Sequence, residues 1–160
     1  MLIAVAILMI CVVGVMLLGA VFFNVRSDRT QEAKAFLGGS LPSPELDGTF
    51  GGNKFTGLGE DWLGKHFFAA TDSGINNFKS KTNPQVTEQR FTFTTRPAPG
   101  LRNKHQQVLQ LDYNVTGNPW WLRHIRDEIV QTAPGQYTGK IHVKVWFMVV
   151  TIGHFQLSSN

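Results

Sequence analysis

The densest run of residues able to do chemistry is Arg123-His124-Ile125-Arg126-Asp127-Glu128, directly after Trp120-Trp121. His124 with Asp127 or Glu128 supplies the types for a general base and the carboxylate that orients it, and the two arginines suit a carboxylate or an anionic head group. The same residues on a charged strand edge would only keep that strand soluble and unpaired. No nucleophile stands beside them, which favours the structural reading. Tyr137 with Lys140 is a second pair of acid–base types. Trp120 and Trp121 with Arg123 and Arg126 also match an interfacial contact, since tryptophan favours the headgroup region and arginine favours anionic lipid. The alternative buries one tryptophan in the core and leaves its neighbour half exposed.

Other strings carry less chemistry. Gly59-Glu60-Asp61-Trp62-Leu63-Gly64-Lys65-His66 has the glycine and lysine spacing of a phosphate-binding loop. His66 replaces the magnesium-binding hydroxyl, Trp62 and Leu63 are too bulky for a phosphate cradle, and no apolar strand precedes. Trp62 is instead expected to cover one end of a sheet with Phe67 and Phe68, while Trp62 and Lys65 stay among the ligand- or membrane-contact candidates. Of the five histidines, only His142 and His154 could meet, across an antiparallel pair of final strands. No His-Glu-x-x-His spacing occurs, so no metal site is expected. The single cysteine, Cys11, lies in an apolar run and leaves no thiol for a disulfide, a zinc-cysteine site or a nucleophile elsewhere. No catalytic residue and no cofactor is assigned. Asn114-Val115-Thr116 is a glycosylation sequon on the outward parity of its strand.

These residues need elements to hold them. Leu2 to Phe23 has no charged side chain and would make about 33 Å of helix, the thickness of a bilayer core. A cleaved signal peptide fits poorly, because no basic region precedes the run and Leu18 occupies a position that wants a small residue. Arg26, Arg29 and Lys34 follow it, so the rest of the chain should face the cytoplasm. Gly14 and Gly19 are five apart, off the spacing of close helix dimers. The net charge is +4, and removing Arg26, Arg29, Lys34, Asp28 and Glu32 leaves 12 basic against 9 acidic residues, too weak a balance for nucleic acid.

The expected organisation is a transmembrane anchor over 2–23, a linker over 24–44 and one β-rich domain over 45–160. Two-residue alternation at Phe91/Phe93, Leu109/Leu111/Tyr113/Val115 and Ile141/Val143/Val145 predicts half-buried strands. Ala133-Pro134-Gly135-Gln136 predicts a type II turn inside a hairpin. Leu63, Phe67 and Ala70 predict a helix over 61–70, Asn118-Pro119 predicts a helix through His124, and a turn is expected near Phe147 and Met148. The fold class is mostly β: an antiparallel barrel or strongly curved sheet with one or two short helices.

The succession Leu46-Asp47-Gly48, Trp62-x-Gly64-Lys65-x-Phe67, Gly74-x-Asn76-x-Phe78, Leu111-Asp112-Tyr113, Arg126-Asp127-Glu128-x-Val130 and Gly135-x-Tyr137-x-Gly139-Lys140 resembles a set of small uncharacterised microbial proteins. The resemblance implies a domain boundary after the anchor and transfers no catalytic residue. The β-rich layout is also loosely similar to lipocalin-type barrels, which hold apolar ligands, although Phe50 stands where their opening motif has tryptophan. The leading expectation is a single-pass membrane protein whose domain binds a lipid or another apolar or amphipathic small molecule. Its rivals are an adaptor docking a membrane protein through a sheet edge or Trp120-Trp121, and an acid–base enzyme. The contact candidates are Trp62, Lys65, Trp120, Trp121, Arg123, His124, Arg126, Asp127, Glu128, Tyr137 and Lys140, and the implied partners are the bilayer and these ligands, not nucleic acid.

Overall fold

The structure, a computed structural model, describes residues 2–55, 61–145 and 148–159. Eight strands, β1 (Gly48–Phe55), β2 (Trp62–Phe68), β3 (Ser73–Lys79), β4 (Thr87–Pro99), β5 (Gln107–Asp112), β6 (Ile125–Ala133), β7 (Gln136–Val145) and β8 (Met148–Ser159), follow one another around a closed antiparallel barrel. The last strand pairs with the first, Phe50 opposite Ser159, so among the described residues the sheet offers no unpaired edge. Docking through a sheet edge is thereby corrected.

The β6–β7 hairpin turns where Pro134 and Gly135 predict it, with Gly135 at φ +68°. Two helical expectations fail. Residues 62–68 are strand, because Lys65 and Phe67 point inward while His66 and Phe68 point out; a buried lysine hid this alternation from a hydrophobic count. Gly64, at φ +128°, takes the bulged position beside Trp62. The segment after Pro119 makes only a 3₁₀ turn, Leu122–His124. Asn118 does not cap a helix there, since its side chain donates to the carbonyls of Thr92 and Tyr113 and ties two barrel strands together. The turn expected near Phe147 and Met148 involves residues 146–147, which lie outside the described residues.

Rings fill the interior. Tyr137, Phe50, Phe67, Phe93 and Tyr113 form a continuous chain of edge-to-face contacts at 5.4–5.5 Å, and Trp62 meets Phe155 at 5.8 Å. Eight strands enclose a bore about as wide as the side chains that line it. Gly139 leaves room for the Phe155 ring, which occupies the space a Cβ would take.

Two helices precede the barrel. α1 (Leu2–Asp28) is continuous; among the described residues no helix is long and apolar enough to cross a membrane. α2 (Gln31–Gly38) is capped by Thr30, whose hydroxyl accepts from the Ala33 amide at 3.1 Å, and ends at Gly39. The 24–44 stretch thus lies on the barrel: Phe36 packs on Val108 and Val130 of the outer wall, and Ser40 bridges Gln131. The Asn24 amide holds the backbone of β8 through Val149 O and Thr151 N, at 3.3 and 2.8 Å. α1 and β8 run in the same direction, with Met16, Gly19 and Ala20 beside Met148 and Val150. The earlier residues of α1 therefore leave past the rim where β5 ends and β6 begins, here called the exit rim.

Candidate functional site

Neighbours on one strand face opposite ways, so β6 sends Asp127 into the barrel and Glu128 to its outer wall. Each organises a polar layer.

Inside, Lys65 is 2% exposed and donates to Asn76 Oδ1 at 2.9 Å, Tyr113 Oη at 2.5 Å and Asp127 Oδ2 at 3.0 Å. Tyr113 donates on to Asp127, while the Asn76 amide donates to Tyr113 and Phe91 O and accepts from Trp62 Nε1. Burial depresses the Lys65 ammonium, opposed by the Asp127 charge, and burial next to that carboxylate pushes Tyr113 well above its usual value. Rings of Phe155, Phe93, Tyr113 and Trp62 stand 4.9–5.8 Å from Nζ. The layer is closed off from solvent. All three Lys65 N–H bonds have acceptors, and within this layer Asp127 Oδ1 is a buried atom with no hydrogen-bond partner among the described residues.

Outside, beneath α1 and α2, Asp28 receives two bonds from Arg102 at 2.9 and 2.8 Å, and Arg102 also donates to Thr151 Oγ1 at 2.9 Å. Thr151 then meets His142 Nδ1 at 3.1 Å, and His142 Nε2 meets Glu128 at 3.0 Å. Glu128 accepts from the Leu101 amide as well. Burial raises the Glu128 carboxyl, but His142 and Leu101 outweigh it and hold the group below its ordinary value. Beside this chain Lys140 is 7% exposed, with Nζ 4.5 Å from the Phe36 ring centre and no hydrogen-bond acceptor among the described residues. Burial depresses it too, against the charges of Asp28 and Glu128. A cavity of about 260 Å³ opens between α2, the 100–106 loop and this layer.

At the exit rim a shallow cleft of about 440 Å³ is lined by Asn114, Trp120, Arg123, His124, Arg126 and Lys144. Trp120 is 77% and Trp121 47% exposed, so neither is the core tryptophan of the bland reading. Arg126 is held by Asp112 at 2.8 Å and by the Arg123 and Ile125 carbonyls; Arg123 Nε is held by Asn118 O.

The predicted candidates therefore separate into three places: Trp62, Lys65, Asp127 and Tyr137 inside, Glu128 and Lys140 beneath the helices, and Trp120, Trp121, Arg123, His124 and Arg126 at the rim. His124 meets neither Asp127 nor Glu128, and Tyr137 and Lys140 stand on opposite sides of the wall, which removes both acid–base pairs. His142 and His154 are not opposite one another either, since β7 and β8 pair His142 with Thr151 and Lys140 with His154. Among the described residues no group of three potential metal ligands converges. Sequence reasoning did not single out Asn76, Tyr113, Arg102 or Thr151. The first two stand in the Gly74-x-Asn76 and Leu111-Asp112-Tyr113 strings; nothing local marks Arg102 or Thr151, which a loop and a bulge bring together.

No family model matches the chain, and neither does any curated protein or solved structure.

Proposed function

We propose that the chain is a membrane-associated barrel that rests its exit rim, with the apolar residues of α1 beside it, on the anionic headgroups of the bilayer. The observation that carries this reading is the direction of α1: its apolar half leaves at the one rim where Trp120 and Trp121 project beside Arg123, His124 and Lys144. Tryptophan and arginine side chains gain most at that depth, the rings in the headgroup zone and the cations against lipid phosphate. An apolar groove of about 340 Å³ between α1 and β7–β8, lined by Met16, Val143, Met148, Val150 and Ile152, adds a seam that an acyl chain fits. The reading places lipid outside the barrel, because among the described residues aromatic rings occupy the bore.

The test is tryptophan quenching of the full chain in nanodiscs whose phosphatidylcholine carries bromine near the headgroup. With phosphatidylglycerol present, quenching should be strong and should fall in Trp120→Ser/Trp121→Ser and in Arg123→Glu/Lys144→Glu. Equal quenching in the charge-reversed and parent chains would overturn the proposal.

A further inference from the structure

Three features stand outside the rim reading. The inner Lys65 layer is buried with its donors matched, and the Thr151 hydroxyl of the Thr151–His142–Glu128 chain is buried and hydrogen-bonded to Arg102 and His142. The cavity under α2 is different. Its two carboxylates are occupied, Asp28 by Arg102 and Glu128 by His142 and the Leu101 amide. Arg102 uses three of its five N–H bonds on Asp28 and Thr151. Lys140 brings to this space an ammonium with no hydrogen-bond acceptor among the described residues, under an apolar roof of Phe36 and Leu37. An ammonium that opens onto a cavity can take a bound anion as acceptor, a charge-assisted bond.

We infer that the cavity between α2 and the outer barrel wall binds a small organic anion, its carboxylate on Lys140 Nζ and its short apolar part against Phe36 and Leu37. The volume, about 260 Å³, falls just under the ~300–1,000 Å³ typical of drug-sized pockets, which limits the occupant to a few carbons beyond the carboxylate. Gln106 and Asn103 on the facing loop can hydrogen-bond a hydroxyl or carbonyl on the same molecule. Burial lowers the Lys140 ammonium more than the Asp28 and Glu128 charges raise it, and a bound carboxylate would raise it further.

The experiment is amide NMR of the full chain in detergent micelles, titrated at constant ionic strength with sodium butyrate and, separately, with inorganic phosphate. Butyrate should move the amides of Gly100, Gln106 and Lys140 saturably. Lys140→Met should weaken it by at least about tenfold, the loss of one charge-assisted hydrogen bond, and Lys140→Arg should keep most of it. Leu37→Glu, on an exposed position, should weaken butyrate without touching the fold, which keeps the test decisive if Lys140→Met is unstable. Absence of saturable shifts, or shifts that survive both Lys140→Met and Leu37→Glu, would overturn the site. Phosphate binding more tightly than butyrate would overturn its organic character.

Discussion

Lys65 and Lys140 are both buried, both lie over aromatic rings and both have ammonium groups depressed by burial, yet they occupy opposite faces of one wall and opposite situations. Lys65 has three acceptors, one of them a carboxylate oxygen, among the aromatic rings of the bore. Lys140 has none and borders a cavity. The contrast separates a charge that belongs to the architecture from one left open to a ligand. Burial alone does not distinguish them; the count of satisfied donors does.

The largest expected effect tests the inner side. Lys65→Met leaves the Asp127 carboxylate buried without its cation and should cost about 3–5 kcal/mol in urea unfolding, whereas Lys65→Met/Asp127→Leu should recover most of it. If Lys65→Met were mild, the distinction between the two lysines would break. Gly139→Ala should cost about 1–3 kcal/mol by the same measurement, because the new methyl meets the Phe155 ring next to the inner layer.

The outer layer should appear in pH dependence. Burial, helped by Lys140, lowers His154 to about 4, so between about 6.5 and 4 the unfolded chain binds a proton that the folded chain refuses. Stability then rises with pH across this window and is lost on acidification. Thermal midpoints should fall from pH 6.5 to pH 4, and His154→Gln should flatten the slope. The smallest effect sharpens the comparison: Lys140→Met should change stability by no more than about 1 kcal/mol, since it deletes a buried charge that no acceptor holds. A loss as large as that of Lys65→Met would make Lys140 architectural too.

Much of the barrel was legible because its strands alternate. Phe91/Phe93, Leu109/Leu111 and Ile141/Val143 betray their faces, and Pro134-Gly135 fixes one hairpin. β2 was hidden because its inward residue is Lys65, whose burial depends on Asn76, Tyr113 and Asp127 from three other strands. The candidate residues were named one by one, but their division between bore, helix-covered wall and rim follows from strand parity. A one-residue step sends Asp127 and Glu128 apart, and no compositional signal carries that. Arg102 was beyond reach, since a loop presents it to a helix that lies far away in the chain.

The seam between β1 and β8 has one more consequence. It joins the first strand to leave the ribosome to the last, so no nascent chain lacking β8 can complete the cylinder. Throughout synthesis β1 keeps a raw hydrogen-bonding border, and sequence-distant pairing of this kind is slow. The β1 border therefore stays unpaired until β8 is made.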